Sequence, residues 1–162
     1  AVIGGLEGLV IGGAFEMTLA CDLRIASKDT VIMMPEMGIA TLLSNASTKL
    51  LPQLIGEAKA KELVFLGQML SAEEALKLRL VNSVRNSDYL MKELENTAQT
   101  IVKKAPMAIR LTKRLMNQSW DMSIDAALDA EEIATFIMGQ SEYFMEALKA
   151  FSEKREPQFK GK

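Results

Sequence analysis

The sequence predicts an α/β protein, and three observations carry that reading. From Ala1 to about Ile55 short apolar strands alternate with helical stripes. Beyond Ser87 four helical periods follow one another, and a double glycine, Gly12-Gly13, joins a strand to a helix. The chain therefore divides near residue 87, with an α/β part over 1–87 and a helical part over 88–162. Its 162 residues fit one domain, or one domain with an appendage.

The elements follow from local pattern. An apolar strand starts at Ala1, and another runs into Gly12-Gly13. Phe15, Leu19 and Ala20 share one face of the helix that follows, with Glu16 in its first turn. A strand is expected over Asp22–Ala26, and a shorter one over Val31–Met34, which ends in Pro35-Glu36. Residues 39–55 turn helical after Ser44-Asn45, with Asn45 as the expected N-cap, and Pro52 should kink or shorten that helix. Glu57–Leu66 carries Ala60, Leu63 and Val64 as a stripe closed by Gly67. Ser71-Ala72-Glu73-Glu74 is a capping box that opens a helix to about Leu78, and Leu80–Val84 is expected as a strand or extended edge. The four later helices are expected over Asp88–Lys103, Pro106–Ser119, Ser123–Met138 and Ser141–Lys154, before an extended tail from Glu156.

Composition excludes several chemistries. The net charge of −2 offers no basic footprint for nucleic acid. The sequence contains no histidine, which removes every histidine-dependent triad and the commonest metal ligand. Cys21 is the single cysteine, so no intrachain disulfide can form, and its apolar neighbours predict a buried thiol. No apolar run reaches the ~18 residues of a membrane span. A cytoplasmic or organelle-matrix location is the expectation.

Two features carry chemistry. Glycines at a helix start leave unhindered N–H donors at the positive end of the macrodipole, which can hold a developing oxyanion. Taken alone, Gly12-Gly13 is equally a tight turn in which glycine relieves crowding. The spacing is neither G-x-G-x-x-G nor a P-loop, so nucleotide binding does not follow. The second feature is a pair of carboxylates, Glu16 and Glu36, able to polarise a water or move a proton. Each alone has a structural explanation: helix-dipole placement for Glu16, solvation for Glu36.

AVIGGLEGLVIGGAFEMTLACDLRIAS and the following Pro35-Glu36 resemble the crotonase superfamily, the enoyl-CoA hydratase/isomerase group. The likeness continues through LSAEEAL, LVN, KKAPMAIRLTKRLMN and ALKAFSEKREPQFKGK, so it covers essentially the whole chain. It implies the second half of a crotonase-type (ClpP/crotonase) spiral core, then a helical C-terminal trimerisation region. It also implies a large preceding portion that supplies core strands, coenzyme A surface and a second oxyanion donor. The expectation is therefore a C-terminal fragment, or a chain whose N-terminal half is a separate polypeptide.

For the site, the resemblance implies Gly13 as the oxyanion donor beside Gly12, and Glu16 and Glu36 as the acid/base pair. Together they would add water syn across a trans-2-enoyl-CoA. Ser44 would meet the catalytic water through its N–H, and Lys154 the nucleotide end of coenzyme A. No metal or other cofactor is implied, since coenzyme A enters with the substrate. A homotrimer or dimer of trimers is expected.

The chain departs from the family pattern in two places. Ala14 replaces a third glycine. Residues 43–48, Leu-Ser-Asn-Ala-Ser-Thr, replace a Pro-Gly-Ala-Gly-Gly-Thr turn, so the glycines at 44, 46 and 47 are lost. Met33, Met34 and Met37 beside Glu36 are either an adaptable acyl pocket or gap-filling core. Two alternatives to the hydratase remain at this point. One is an isomerase or other enolate-stabilising acyl-CoA enzyme, and the other an inactive, truncated domain serving as an assembly module.

Overall fold

The computed structural model describes residues 1–160. Its chain forms two compact units, Val2–Thr97 and the helices from Ala98 onward, with Ala1 grouped with the second.

The first unit begins with β1 (Ile3–Leu6) and β2 (Leu9–Ile11), then α1 (Gly13–Leu19). β3 (Leu23–Ser27) and β4 (Val31–Met33) come next, followed by a 3-10 turn over Glu36–Ile39. α2 (Ser47–Ile55), α3 (Glu57–Leu66), β5 (Met69–Ser71), α4 (Ala72–Lys77), β6 (Ser83–Arg85) and α5 (Ser87–Val102) complete the order. The strands form two sheets, β1-β3-β6 and β2-β4-β5. β1 runs parallel to β3 with Ile3 opposite Leu23, and β2 runs parallel to β4 with Leu9 opposite Val31. Each winding of the chain thus lays one strand on each sheet, and α1 fills the return between windings. Short parallel strands need such crossovers, because a tight hairpin cannot join them. β5 closes the second sheet antiparallel to β4.

The core lies between these layers. Leu6, Phe15, Ile32, Met34, Leu51 and Leu63 are each at most 1% exposed. Such burial removes nearly all their apolar surface from water, about 1.5–3 kcal/mol for each side chain. Arg24 is also buried, and its guanidinium donates to the carbonyls of Leu80, Thr18 and Cys21. It ties the C-terminal end of α1 to the segment before β6.

Most elements form where their patterns place them. α3 spans the expected residues with Ala60, Leu63 and Val64 buried. The capping box at Ser71 and Glu74 forms reciprocally. Several expectations need correction. Asn45 does not cap α2: the N-cap is Ala46, at φ 61°, with no side-chain hydrogen bond, because Asn45 is itself left-handed at φ 51°. Pro52 lies inside α2, which still reaches Ile55. Leu80 and Val81 are buried but not in a strand; β6 pairs from Ser83, opposite Ile25. Cys21 is half-buried, because the chain turns out of α1 there. β5 has no counterpart in the sequence reading, its three residues being too short to show alternation.

The second unit holds α6 (Pro106–Ser119), α7 (Ile124–Gly139) and α8 (Glu142–Ser152). Ser123 and Ser141 cap α7 and α8 through their hydroxyls. α6 and α7 bury no residue fully, and Ile124, Leu128, Ile133, Phe136 and Phe151 are exposed. Glu146 and Arg155 pair across the end of α8, and this pairing holds the Glu146 carboxyl down to about 2. The expected extended tail has no regular structure from Glu156 to Lys160, and its last two residues lie outside the described residues.

Candidate active site

The register of β2 on β4 builds the site. Ile11 lies opposite Met33, so the residues just beyond each strand end become neighbours. The Gly12 N–H donates to the Met33 carbonyl at 2.8 Å, fixing the turn into α1 against the end of β4. Glu16 projects from the first turn of α1, and Glu36 follows β4 after Pro35 in the 3-10 turn. Two carboxyls distant in sequence are thereby buried together, with Glu16 1% and Glu36 4% exposed.

Gly12 makes this approach possible. Its φ of 54° with ψ −126° is closed to L side chains, and a Cβ would stand 2.9 Å from Glu36 Oε1. Gly13 differs. It is the first residue of α1, so the helix itself gives its N–H no partner, and no atom lies within 4 Å of where a Cβ would be. Gly13 is exposed. Ala14, where the family pattern has glycine, is exposed too.

The two carboxyls occupy different environments. Glu16 Oε2 accepts from the Ser44 N–H at 2.7 Å and from the Ser44 hydroxyl at 2.6 Å. Burial pushes the Glu16 carboxyl up, but the two Ser44 donors, with smaller hydrogen bonds from Glu36 and Ser47, hold the group below the usual glutamate range. Glu36 moves the other way. Burial raises it, the adjacent Glu16 charge raises it further, and its own backbone N–H offsets only part. The two groups lie close enough to share a hydrogen bond. Glu16 is therefore the more readily ionised member, and Glu36 the member that keeps a proton to higher pH. Glu36 Oε2 is buried without a hydrogen-bond partner. A buried acid oxygen kept free of protein donors and acceptors is available to a reacting group.

The structure thus brings together Gly12, Gly13, Glu16, Glu36 and Ser44. Lys154 belongs to the second unit, where it is exposed at φ 54° just past α8. Met34 is fully buried core, while Met33 is half-buried and Met37 exposed. Two contributors escaped the sequence reading. The Ser44 hydroxyl acts on Glu16 alongside its amide, and the Ser47 hydroxyl is buried beside Glu16 without a formed hydrogen bond. The available signal was polarity: Ser44, Asn45 and Ser47 are hydrogen-bonding residues clustered at the start of α2. Among the described residues no cluster of histidine, cysteine, aspartate or glutamate could hold a metal, and no helix is long and apolar enough to cross a membrane.

Comparison with known proteins bears on this constellation. The model of the family described as enoyl-CoA hydratase/isomerase matches residues 1–162. A short-chain-enoyl-CoA hydratase of Clostridium acetobutylicum is 36% identical over 154 residues, covering 95% of this chain and 59% of that protein. A crotonyl-CoA hydratase of Syntrophomonas wolfei is 32% identical over 158 residues, covering 98% and 61%. The crystal structure of an enoyl-CoA hydratase from Bacillus anthracis superposes with a TM-score of 0.92 at 34% identity, covering 96% of this chain and 60% of that one. An enoyl-CoA hydratase/isomerase structure from Cupriavidus metallidurans gives 0.92 at 30% identity, covering 98% and 60%. The chain spans about three-fifths of the length of each of these proteins. Its α/β architecture is the crotonase-type fold, and the chain belongs to the enoyl-CoA hydratase/isomerase family.

Proposed function

We propose that the protein carrying this chain is an enoyl-CoA hydratase, adding water across the double bond of a trans-2-enoyl-CoA. The observation that carries the reading is the buried Glu16–Glu36 pair, its members shifted in opposite directions at the glycine turn that opens α1. Glu16, held as a carboxylate, takes a proton from water as the water oxygen bonds to Cβ. The π electrons move toward the thioester carbonyl, whose oxygen takes up negative charge, and the Gly13 N–H donates to it at the positive end of α1. Glu36 delivers its proton to Cα, and both new bonds form on the face that the two carboxyls share. Proton exchange between the paired carboxyls then restores the starting state. The step uses acid–base groups and a backbone donor alone, with coenzyme A entering as part of the substrate.

Further parts of this reading rest on the same family membership. Lys154 meets the nucleotide end of coenzyme A, and its exposure at the end of α8 suits that contact. A homotrimer or dimer of trimers is supported by the exposed apolar residues of α7 and α8, which call for a covering surface. The location that suits such an enzyme is the cytoplasm or an organelle matrix.

The test is hydration of a short trans-2-enoyl-CoA by the complete protein and by Glu36→Gln. Turnover is expected in the parent and a loss of roughly 10²–10⁴-fold in the variant. Equal turnover in both would overturn the assignment. Exchange of α-protons without hydration would replace it with the isomerase.

A further inference from the structure

Ser44 places two donors on one oxygen of Glu16, and their geometry decides where its proton points. The Asn45 side-chain amide nitrogen, which can only donate, lies 3.1 Å from Ser44 Oγ and 3.5 Å from Glu16 Oε2. Ser44 Oγ therefore accepts from Asn45 and directs its single hydrogen to Glu16, at 2.6 Å. That length belongs to an O–H donor meeting an ionised acceptor. With the Ser44 amide at 2.7 Å, both principal lone-pair sites of Oε2 are engaged. Oε1 is left as the oxygen that faces the other hydrogen-bonding groups beside Glu16, namely Glu36 and Ser47.

Ser44 gives Glu16 its two largest stabilising hydrogen bonds, with smaller ones from Glu36 and Ser47. Glu36 is the titratable group facing it from the 3-10 turn. β2 offers only apolar side chains, and α2 contributes Ser47, its one charged residue, Lys49, being exposed. A glycine at position 44, as the family pattern has, would supply the amide alone.

We propose that the Ser44 hydroxyl is a positioning residue that holds Glu16 through Oε2 and favours its carboxylate form. The division of labour between the two carboxyls is then set in the free protein, before substrate enters. The catalytic consequence rests on the hydratase reading; the placement of charge does not.

The experiment compares the complete protein with Ser44→Ala and Ser44→Thr, using two readouts. The first is the carboxyl-carbon NMR titration of Glu16 without substrate. The second is the pH profile of kcat/KM for a trans-2-enoyl-CoA. In Ser44→Ala the Glu16 midpoint should rise and the acid limb move to higher pH. At the acid end of the profile kcat/KM should fall roughly tenfold. Ser44→Thr, which keeps the hydroxyl, should restore both. If Ser44→Ala does not fold, Ser44→Gly removes the same hydroxyl and takes its place. An unchanged Glu16 midpoint without the hydroxyl would overturn the inference. A raised midpoint in a protein that hydrates no enoyl-CoA would uphold it while removing the hydratase reading.

Discussion

Gly12 and Glu36 are in such close approach that a single methyl group at Gly12 would stand 2.9 Å from the Glu36 Oε1 atom. The turn that aims α1 at the site is also the wall against which the second carboxyl rests. Backbone conformation and the placement of the second carboxyl are therefore one constraint at this position.

Replacement of Gly12 by alanine should cost in two ways. The residue would be forced into a backbone region closed to L side chains, worth about 1–3 kcal/mol of stability, and Glu36 would be displaced. Urea unfolding should show the loss, and enoyl-CoA turnover should fall by roughly 10²-fold or more through misplacement of the acid. Gly12→Ala with both values unchanged would contradict the close approach.

The raised Glu36 has a stability consequence whose sign can be worked out. The folded state binds this proton more tightly than the unfolded chain does. The contribution is therefore fully present below the unfolded glutamate value, and is lost as pH rises through the raised folded value. Glu36→Gln, which is always neutral, should match the parent in acid and become the more stable of the two as pH rises, by on the order of 1 kcal/mol. Thermal unfolding of both proteins across pH checks this. A gap that shrinks with rising pH would mean that Glu36 is not held protonated.

Ala46 sits at φ 61° as the N-cap of α2, a conformation that glycine adopts without strain. Ala46→Gly should stabilise the fold, by about 0.5–1 kcal/mol after the greater chain entropy of glycine is counted. The unfolding midpoint is the measurement. A destabilised variant would show that the left-handed turn before α2 is not the resting conformation.

Arg24 satisfies three carbonyls while buried among apolar neighbours. Arg24→Met keeps the bulk and removes every donor, so unfolding should become easier by about 2–4 kcal/mol. Arg24→Lys should recover little, because an ammonium cannot reach separate carbonyls with a planar fork. Full recovery by lysine would assign the effect to charge alone.

Much of the fold was legible because its signals are local. The Ser71–Glu74 capping box and the stripe of α3 each need only a few neighbouring residues, and each formed. Asn45 failed as a cap because capping requires an extended backbone, and the loop holds Asn45 and Ala46 left-handed instead. β5 went unseen because a three-residue strand is defined by its partner β4 rather than by its own pattern. Cys21 was expected to be buried from its apolar neighbours, yet exposure at the end of a helix depends on which way the chain leaves it.

For the site, the residue types and their order were set by the sequence itself: glycines at a strand-to-helix turn, one carboxylate in the helix and one after the next strands. Those are covalent facts, and no folding is needed to read them. Only the tertiary structure decided which carboxyl is shifted down and which up. That choice depends on the Ile11–Met33 register, which brings Glu36 beside Glu16, and on a later loop that swings the Ser44 donors onto one oxygen. Desolvation and hydrogen bonding act through space, over distances that the order of residues does not contain.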